Sequence, residues 1–532
     1  MSKKTELKKN RLAFLYLMMM VAFLIVIIRL FYVVTMGDRI KVRNSYNSNS
    51  ISYRASIVDR NNVILATDLH TKSLYVSSIL VRDPKRIASD LIKIFPELDH
   101  NDILKKIVTA SKNKSIRNWV LLRRNLTPSQ VEKVQDLKHA GLLFQDDKIR
   151  VYPQKSINSH LVGYVDLDRH GLSGVEMQYD KRLMSDREPL KLAVDVRIQD
   201  VLYDELQKAM TEFNSEAAAG VVMDVTNGEI LGMISLPNFD SNIQSEATPN
   251  QRFNRITNGI YELGSVCKIF TNTILFEDDL VKMDEIFNVR DPIKYGSFTI
   301  NDHDHIKDQM TVEEIFRHSS NIGTVEMAKR IGPKRQKEFF KEVGLLDKLE
   351  IDFPGLGKPI YPKSWSDISL YTISYGHGLA MTPLHLAAVV SGIVNEGVMH
   401  KPSFLKLKET PQGKVIVKPN TSQQIKYLLR KTALEGTGGK ANIVGYEVGG
   451  KTGTAERSES GKYSKKQNLA SFVAVFPISR PKYLIYVLFD RPSYLFNTGG
   501  MVAAPVAGRV IKNIAPILDF VPIFEEKEQT KM

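Results

Sequence analysis

Ser265 and Lys268 stand three residues apart in Ser265-Val266-Cys267-Lys268, where the spacing predicts the start of a helix. On a helix, positions i and i+3 share a face. A serine hydroxyl is a poor nucleophile at neutral pH unless a neighbour takes its proton, and an amine one turn along can do that. The amine must then be neutral. That requires a pKa well under the lysine reference of ~10.4, reached by desolvation or by a neighbouring cation. Two further clusters follow in order: Ser319-Ser320-Asn321 and Lys451-Thr452-Gly453-Thr454. If Ser319 and Asn321 lie on a turn ending a Thr311–His318 helix, they face the same cleft. Ser319 can then relay a proton, Asn321 can donate to a substrate amide and to Lys268, and Lys451 is the obvious cation. Gly449, Gly450 and Gly453 leave a strand edge open to an extended ligand backbone. Each cluster alone is a common chance; the ordered triple with domain-sized gaps is not.

Other reactive residues read more plainly. Cys267 is the single cysteine, so no intrachain disulfide and no zinc-type cysteine cluster is expected. At i+2 from Ser265 it should point away from the shared face, as a small buried apolar residue. His303-Asp304-His305 would place two imidazoles on one face of a strand, but a polar loop is the better reading, and no metal or other cofactor is expected. His377, between Gly376 and Gly378, reads as backbone packing rather than catalysis.

The elements that must position these residues are also legible. The chain has 532 residues, 43% of them hydrophobic, and a formal charge of +14. That length suggests about two to four domains. Lys3, Lys4, Lys8, Lys9 and Arg11 precede an uncharged run from Leu12 to Ile28; Arg29 interrupts, and Leu30 to Met36 continues without charge. The first run is about 17 residues, the short end of what spans a bilayer, and Arg29 snorkelling extends it to about 25. Flanking positive charge stays cytoplasmic, so the remainder of the chain is expected outside. Thr35-Met36-Gly37 is a poor cleavage site, which favours an uncleaved anchor over a signal peptide. The basic charge is then read as a solvated face with some attraction to an anionic bilayer or a lipid-linked pyrophosphate, not to nucleic acid.

Residues 1–11 are expected to be a cytoplasmic tail, 12–36 a transmembrane anchor, 37–190 an elongated α+β pedestal, 191–522 a catalytic domain and 523–532 a disordered tail. In the pedestal, Ser56 to Leu65 predicts two short strands around Asn61-Asn62, and Asp83-Pro84 opens a helix toward Phe95. In the catalytic domain, Asp195 to Glu212 has helical apolar spacing. Gly220–Asp224 and Gly228–Ile234 read as strands around Thr226-Asn227-Gly228. Ala470–Phe476 and Tyr483–Phe489 read as strands, and Val502–Ile517 as a closing helix. Strands at both ends with helices between predict an α+β fold: an antiparallel sheet flanked by helices.

On these residues the chain resembles the class B penicillin-binding proteins, which are anchored serine D,D-transpeptidases. The three-motif pattern is the one known for penicillin-binding proteins and related lactamases. Arg54 to Ala66 resembles the family's first pedestal motif. Arg150-Val151-Tyr152-Pro153 with His160-Leu161-Val162-Gly163-Tyr164 resembles a later one, and Gly174-Val175-Glu176 with Tyr179-Asp180 a third. Tyr261-Glu262-Leu263-Gly264-Ser265, Ser374-Tyr375-Gly376-His377-Gly378 and Thr382-Pro383-Leu384 also match. Ala55 and Asn62 stand where the family usually has glycine, and Leu263 where it usually has proline. Asn321 and Thr452 tilt the resemblance toward the division-specific septal enzymes over their elongation-specific relatives.

The resemblance implies a serine β-lactamase-like catalytic fold and the following roles. Ser265 is the nucleophile on stem peptides ending in D-Ala-D-Ala, and Lys268 its base. Ser319, Asn321 and Lys451 complete the catalytic set. Thr452, Gly453 and Thr454 hold the substrate, with the two threonine hydroxyls on its carboxylate. The backbone N–H groups of Ser265 and Thr454 form an oxyanion hole. β-Lactams are the expected covalent inhibitors, and a septal glycosyltransferase with other division proteins the expected partners in the cytoplasmic membrane at the septum. No Glu-x-x-Leu-Asn pattern lies between Asn321 and Lys451, which favours a transpeptidase over a lactamase. An elongation enzyme, a carboxypeptidase or lactamase of the same fold, and an inert division scaffold are the alternatives.

Overall fold

The computed structural model describes residues 16–28, 53–77, 79–112, 119–296, 298–459, 462–493 and 497–524. Residues 16–28 are helical and exposed throughout. Among the described residues no helix is long and apolar enough to cross a membrane. The rest of the anchor expected at 12–36, the tail expected at 1–11 and residues 525–532 lie outside the described residues.

His70–Lys148 forms one compact unit, and Arg54–Leu69 with the chain from Ile149 onward forms the other. In the first, the end of the strand Ile64–Ser77 pairs antiparallel with Trp119–Leu126. Three helices join these strands in the unit. Pro84–Ile94 opens as expected: the Asp83 side chain accepts from the Arg86 N–H and Pro84 fills the first turn. His100–Lys112 follows, then Pro128–Asp136 with a Thr127–Gln130 capping box. Leu74, Val76, Leu91, Phe95, Ile107 and Leu122 form its core. None of the catalytic clusters lies in this unit.

The second unit is built on a five-stranded antiparallel sheet. Its order is Gly449–Glu459, Lys462–Phe476, Tyr483–Asp490, Ala217–Asp224 and Ile230–Leu236. The central strands are apolar at nearly every position because both faces are covered. Phe472, Ala474, Phe476, Ile485, Val487 and Phe489 pack with the helices Val196–Glu212 and Ala503–Ile514. The intervening Val473, Val475, Leu484, Tyr486 and Leu488 pack into a larger core with the helices Lys268–Glu277, Val312–His318, Pro383–Val394 and Pro419–Glu435. This two-residue alternation sends successive side chains to opposite cores. The antiparallel sheet flanked by helices is therefore as the sequence predicts.

The three pedestal motifs converge inside this unit. Glu176, fully buried, accepts from Arg54 Nε and Arg150 Nε, each at 2.7 Å. Arg54 also pairs with Asp180 at 2.7 Å and Arg150 with Asp68 at 3.1 Å. Ala55 sits at a negative φ, and its carbonyl accepts from Arg150 Nη2 at 2.9 Å, so alanine fits where glycine was expected. Asn62 adopts φ +69, which asparagine tolerates, and its side chain accepts from Lys191 Nζ at 2.8 Å.

Candidate active site

Ser265 lies in a 3₁₀ turn, Gly264–Cys267, and the α-helix begins only at Lys268. This departs from the predicted helix start, but it keeps the spacing useful: in a 3₁₀ turn, side chains at i and i+3 eclipse. The Lys268 N–H donates back to Ser265 O. Ser265 is half-buried, whereas Lys268 is fully buried.

Gly264 explains why the turn sits where it does. Its φ is +61, and a Cβ there would run into the carbonyl of Thr454. Gly453 is similarly tight against Leu263 O and Val266. The nucleophile turn and the edge strand Gly449–Glu459 thus meet backbone to backbone. From the other side, Gly376 O accepts from Gly264 N–H at 3.3 Å.

The second motif follows the helix Val312–His318, within the expected Thr311–His318 range, and Thr311 caps it. Ser319 takes the left-handed conformation at φ +62, unusual for a residue with a Cβ. Lys268 Nζ donates to Ser319 O at 2.6 Å, to Ser319 Oγ at 3.1 Å and to Asn321 Oδ1 at 2.7 Å. Lys451 Nζ reaches the same Ser319 Oγ at 2.9 Å and lies 5.7 Å from the centre of the Phe316 ring. Four of the residues singled out from sequence therefore form one hydrogen-bonded cluster, one turn from Ser265. Asn321 enters it as an acceptor, not as the expected donor to Lys268. Its Nδ2 donates instead to Asn301 O at 3.0 Å.

Burial brings the Lys268 ammonium down to about 7, against the pull of Asp302. Burial, then the charge of Lys268, pushes Lys451 well below the ordinary lysine value. Of the two causes the sequence offered, desolvation is thus the principal one for both amines, and the neighbouring cation adds to it at Lys451. Two ammonium groups on one buried hydroxyl repel, so the pair favours carrying a single charge. With one amine neutral, Ser319 Oγ–H can donate to it while accepting from the other, a path for a proton across the site.

Thr452 Oγ1 shares a 2.9 Å hydrogen bond with Thr437 Oγ1, and Thr454 Oγ1 accepts from Gly499 N–H at 3.0 Å. Thr437 and Asp302 were not singled out from sequence. Asp302 accepts from the Ser320 hydroxyl and the Asn321 N–H. Cys267 is buried, and burial followed by Glu262 pushes its thiol up to about 12, consistent with the packing role expected. His303 and Asp304 are exposed, and no group able to hold a metal ion occurs among the described residues. His377 Nδ1 meets Glu262 at 3.2 Å, and Gly378 N–H donates to the same carboxylate at 2.8 Å.

Comparison with known proteins agrees with this geometry. The penicillin binding protein transpeptidase domain matches residues 218–512, and the penicillin-binding protein dimerisation domain matches 50–208. A probable peptidoglycan D,D-transpeptidase FtsI of Caulobacter vibrioides is 36% identical over 485 residues, covering 87% of this chain and 81% of its own. The peptidoglycan D,D-transpeptidase FtsI of Escherichia coli is 27% identical, covering 91% of this chain and 87% of its own. Penicillin binding protein 3 of Mycobacterium tuberculosis, solved with aztreonam, shares the fold at a TM-score of 0.69 and 24% identity, covering 89% of this chain and 98% of its own. The chain belongs to the penicillin-binding protein transpeptidase family, as a class B member. It is a serine-type D,D-transpeptidase of peptidoglycan synthesis, similar to the FtsI enzymes.

Proposed function

We propose that the chain cross-links stem peptides at the division septum through an ester on Ser265. Ser265 Oγ attacks the carbonyl between the two terminal D-alanines as Lys268 takes its proton. Ser319 returns a proton to the departing D-alanine, with Lys451 holding the charge balance. An amine of a second stem peptide then attacks the ester carbonyl, forming the new amide and freeing Ser265. The N–H groups of Ser265 and Thr454 stabilise the oxyanion, worth ~3–4 kcal/mol for each donor. Asn321 keeps one Nδ2 hydrogen for the substrate amide, and Thr452, Gly453 and Thr454 line the carboxylate end. The observation that carries this reading is the Lys268–Ser319–Lys451 cluster, with both amines fully buried beside the turn that holds Ser265.

Segment 12–36 anchors the chain in the cytoplasmic membrane, with 37–190 as pedestal and 191–522 as the outward-facing catalytic part. The septal assignment rests on Asn321, Thr452 and the FtsI relatives. A fluorescent fusion tests it: midcell localisation supports septal duty, and side-wall localisation replaces it with elongation. In a strain depleted of the native protein, Ser265→Ala should fail to restore division; restoration would mark an inert scaffold.

A further inference from the structure

Asp302 belongs to none of the three motifs, yet its carboxylate holds the second of them. Oδ1 accepts from the Asn321 N–H at 2.5 Å and the Ile322 N–H at 3.0 Å, and Oδ2 accepts from the Ser320 hydroxyl at 2.7 Å. Ser320 Oγ in turn accepts from the Gly323 N–H at 2.9 Å. The preceding residue contributes as well, because Asn301 O takes a hydrogen from Asn321 Nδ2. With Nδ2 committed there, Oδ1 of Asn321 faces Lys268. Ser319, next in line, holds a left-handed conformation that persists only where the surroundings enforce it. Residues 301–302 therefore clamp both the backbone and the amide plane of the turn that supplies every oxygen donated to by Lys268.

We infer that Asp302 is a positioning residue of the transpeptidation reaction, aiming Ser319 and Asn321 at the Lys268 amine. The inference rests on the acyl-transfer reading of this site. It carries an electrostatic consequence. The charge acting on Lys268 is that of Asp302, from the loop before the helix Val312–His318, and Lys268 in turn acts on Lys451 of the edge strand. Asp302 favours the protonated amine, so removing its charge lets the Lys268 proton leave at lower pH.

The test is the second-order rate of acylation by a fluorescent penicillin between pH 5.5 and 9. It compares wild type, Asp302→Asn and Asp302→Ala, with Ser265→Ala as control. Asp302→Asn keeps an oxygen for the two N–H groups and removes the charge. Its acid limb should shift to lower pH by about half a unit, with a plateau within about tenfold of wild type. Asp302→Ala removes both carboxylate oxygens and with them all three hydrogen bonds, and its plateau should fall about 30–100-fold. An Asp302→Asn limb that coincides with wild type overturns the inference, as does Asp302→Ala acylating within about threefold of wild type. If the alanine variant does not fold, the asparagine limb decides alone. Labelling of Ser265→Ala, or none of wild type, overturns the acyl-transfer reading itself and is a separate result.

Discussion

Replacing Gly264 by alanine should disable acylation without dismantling the fold. Two costs combine at that position. Its φ of +61 makes any Cβ unfavourable, at ~1–2 kcal/mol. The added methyl also overlaps the carbonyl of Thr454, which is strand backbone and cannot swing aside as a side chain could. Overpacking of this kind costs ~1–3 kcal/mol, so the total destabilisation is about 2–5 kcal/mol. Relief comes from moving the Ser265 turn away from the edge strand. A displacement of ~1 Å at a reacting group can cost ~10²-fold in rate. Gly344→Ala is the matched control: its φ is +83, but nothing lies within 4 Å of the added Cβ. It should lose only the backbone term, ~1–2 kcal/mol, and acylate normally. The assay pairs the thermal unfolding midpoint with the acylation rate of a fluorescent penicillin for both variants. If Gly264→Ala acylates as fast as Gly344→Ala, the backbone contact does not position the nucleophile, and the reasoning fails.

Three further outcomes follow from the same structure. Glu176→Ala leaves the guanidinium groups of Arg54 and Arg150 buried without their shared carboxylate and should cost ~3–5 kcal/mol, read by chemical denaturation; a change under ~1 kcal/mol would contradict it. Acylation needs the neutral Lys268 amine, whose pKa burial lowers to about 7, so the rate should rise about tenfold per pH unit below that value and level off above it. A rate still climbing steeply at pH 9 would mean an ordinary lysine. Cys267 should resist iodoacetamide in the native protein and react once unfolded, because it is buried and its thiol is pushed up to about 12; rapid native labelling would contradict that.

Much of the architecture is legible because local rules and tertiary demands agree. Asp83-Pro84 opens its helix as its chemistry predicts, and the helices expected from Thr311 and Asp195 begin one residue later, with those two side chains as caps. The near-continuous apolar strands mark a sheet covered on both faces. The motif residues Lys268, Ser319, Asn321 and Lys451 were identifiable by type and order, and they meet in space. What escaped the sequence depends on contacts that spacing does not encode. Asp302 sits 18 residues from Ser320, in a polar loop next to two histidines that draw attention first. Thr437 meets Thr452 only because the end of the helix Pro419–Glu435 lies beside the edge strand. The polarity of Asn321 could not be read either, since Asn301 O decides which end of its amide faces Lys268. The 3₁₀ turn at Ser265 reflects Gly264, whose positive φ and contact with Thr454 delay the α-helix until Lys268.

The central claim is that Ser265 becomes a nucleophile because a buried, uncharged amine lies one turn away. Peptide mass spectrometry after incubation with penicillin tests it most directly. One covalent adduct is expected, on the peptide containing Ser265 and released slowly, present in wild type and absent from both Ser265→Ala and Lys268→Ala. An adduct on another residue, or full labelling of Lys268→Ala at neutral pH, would contradict it.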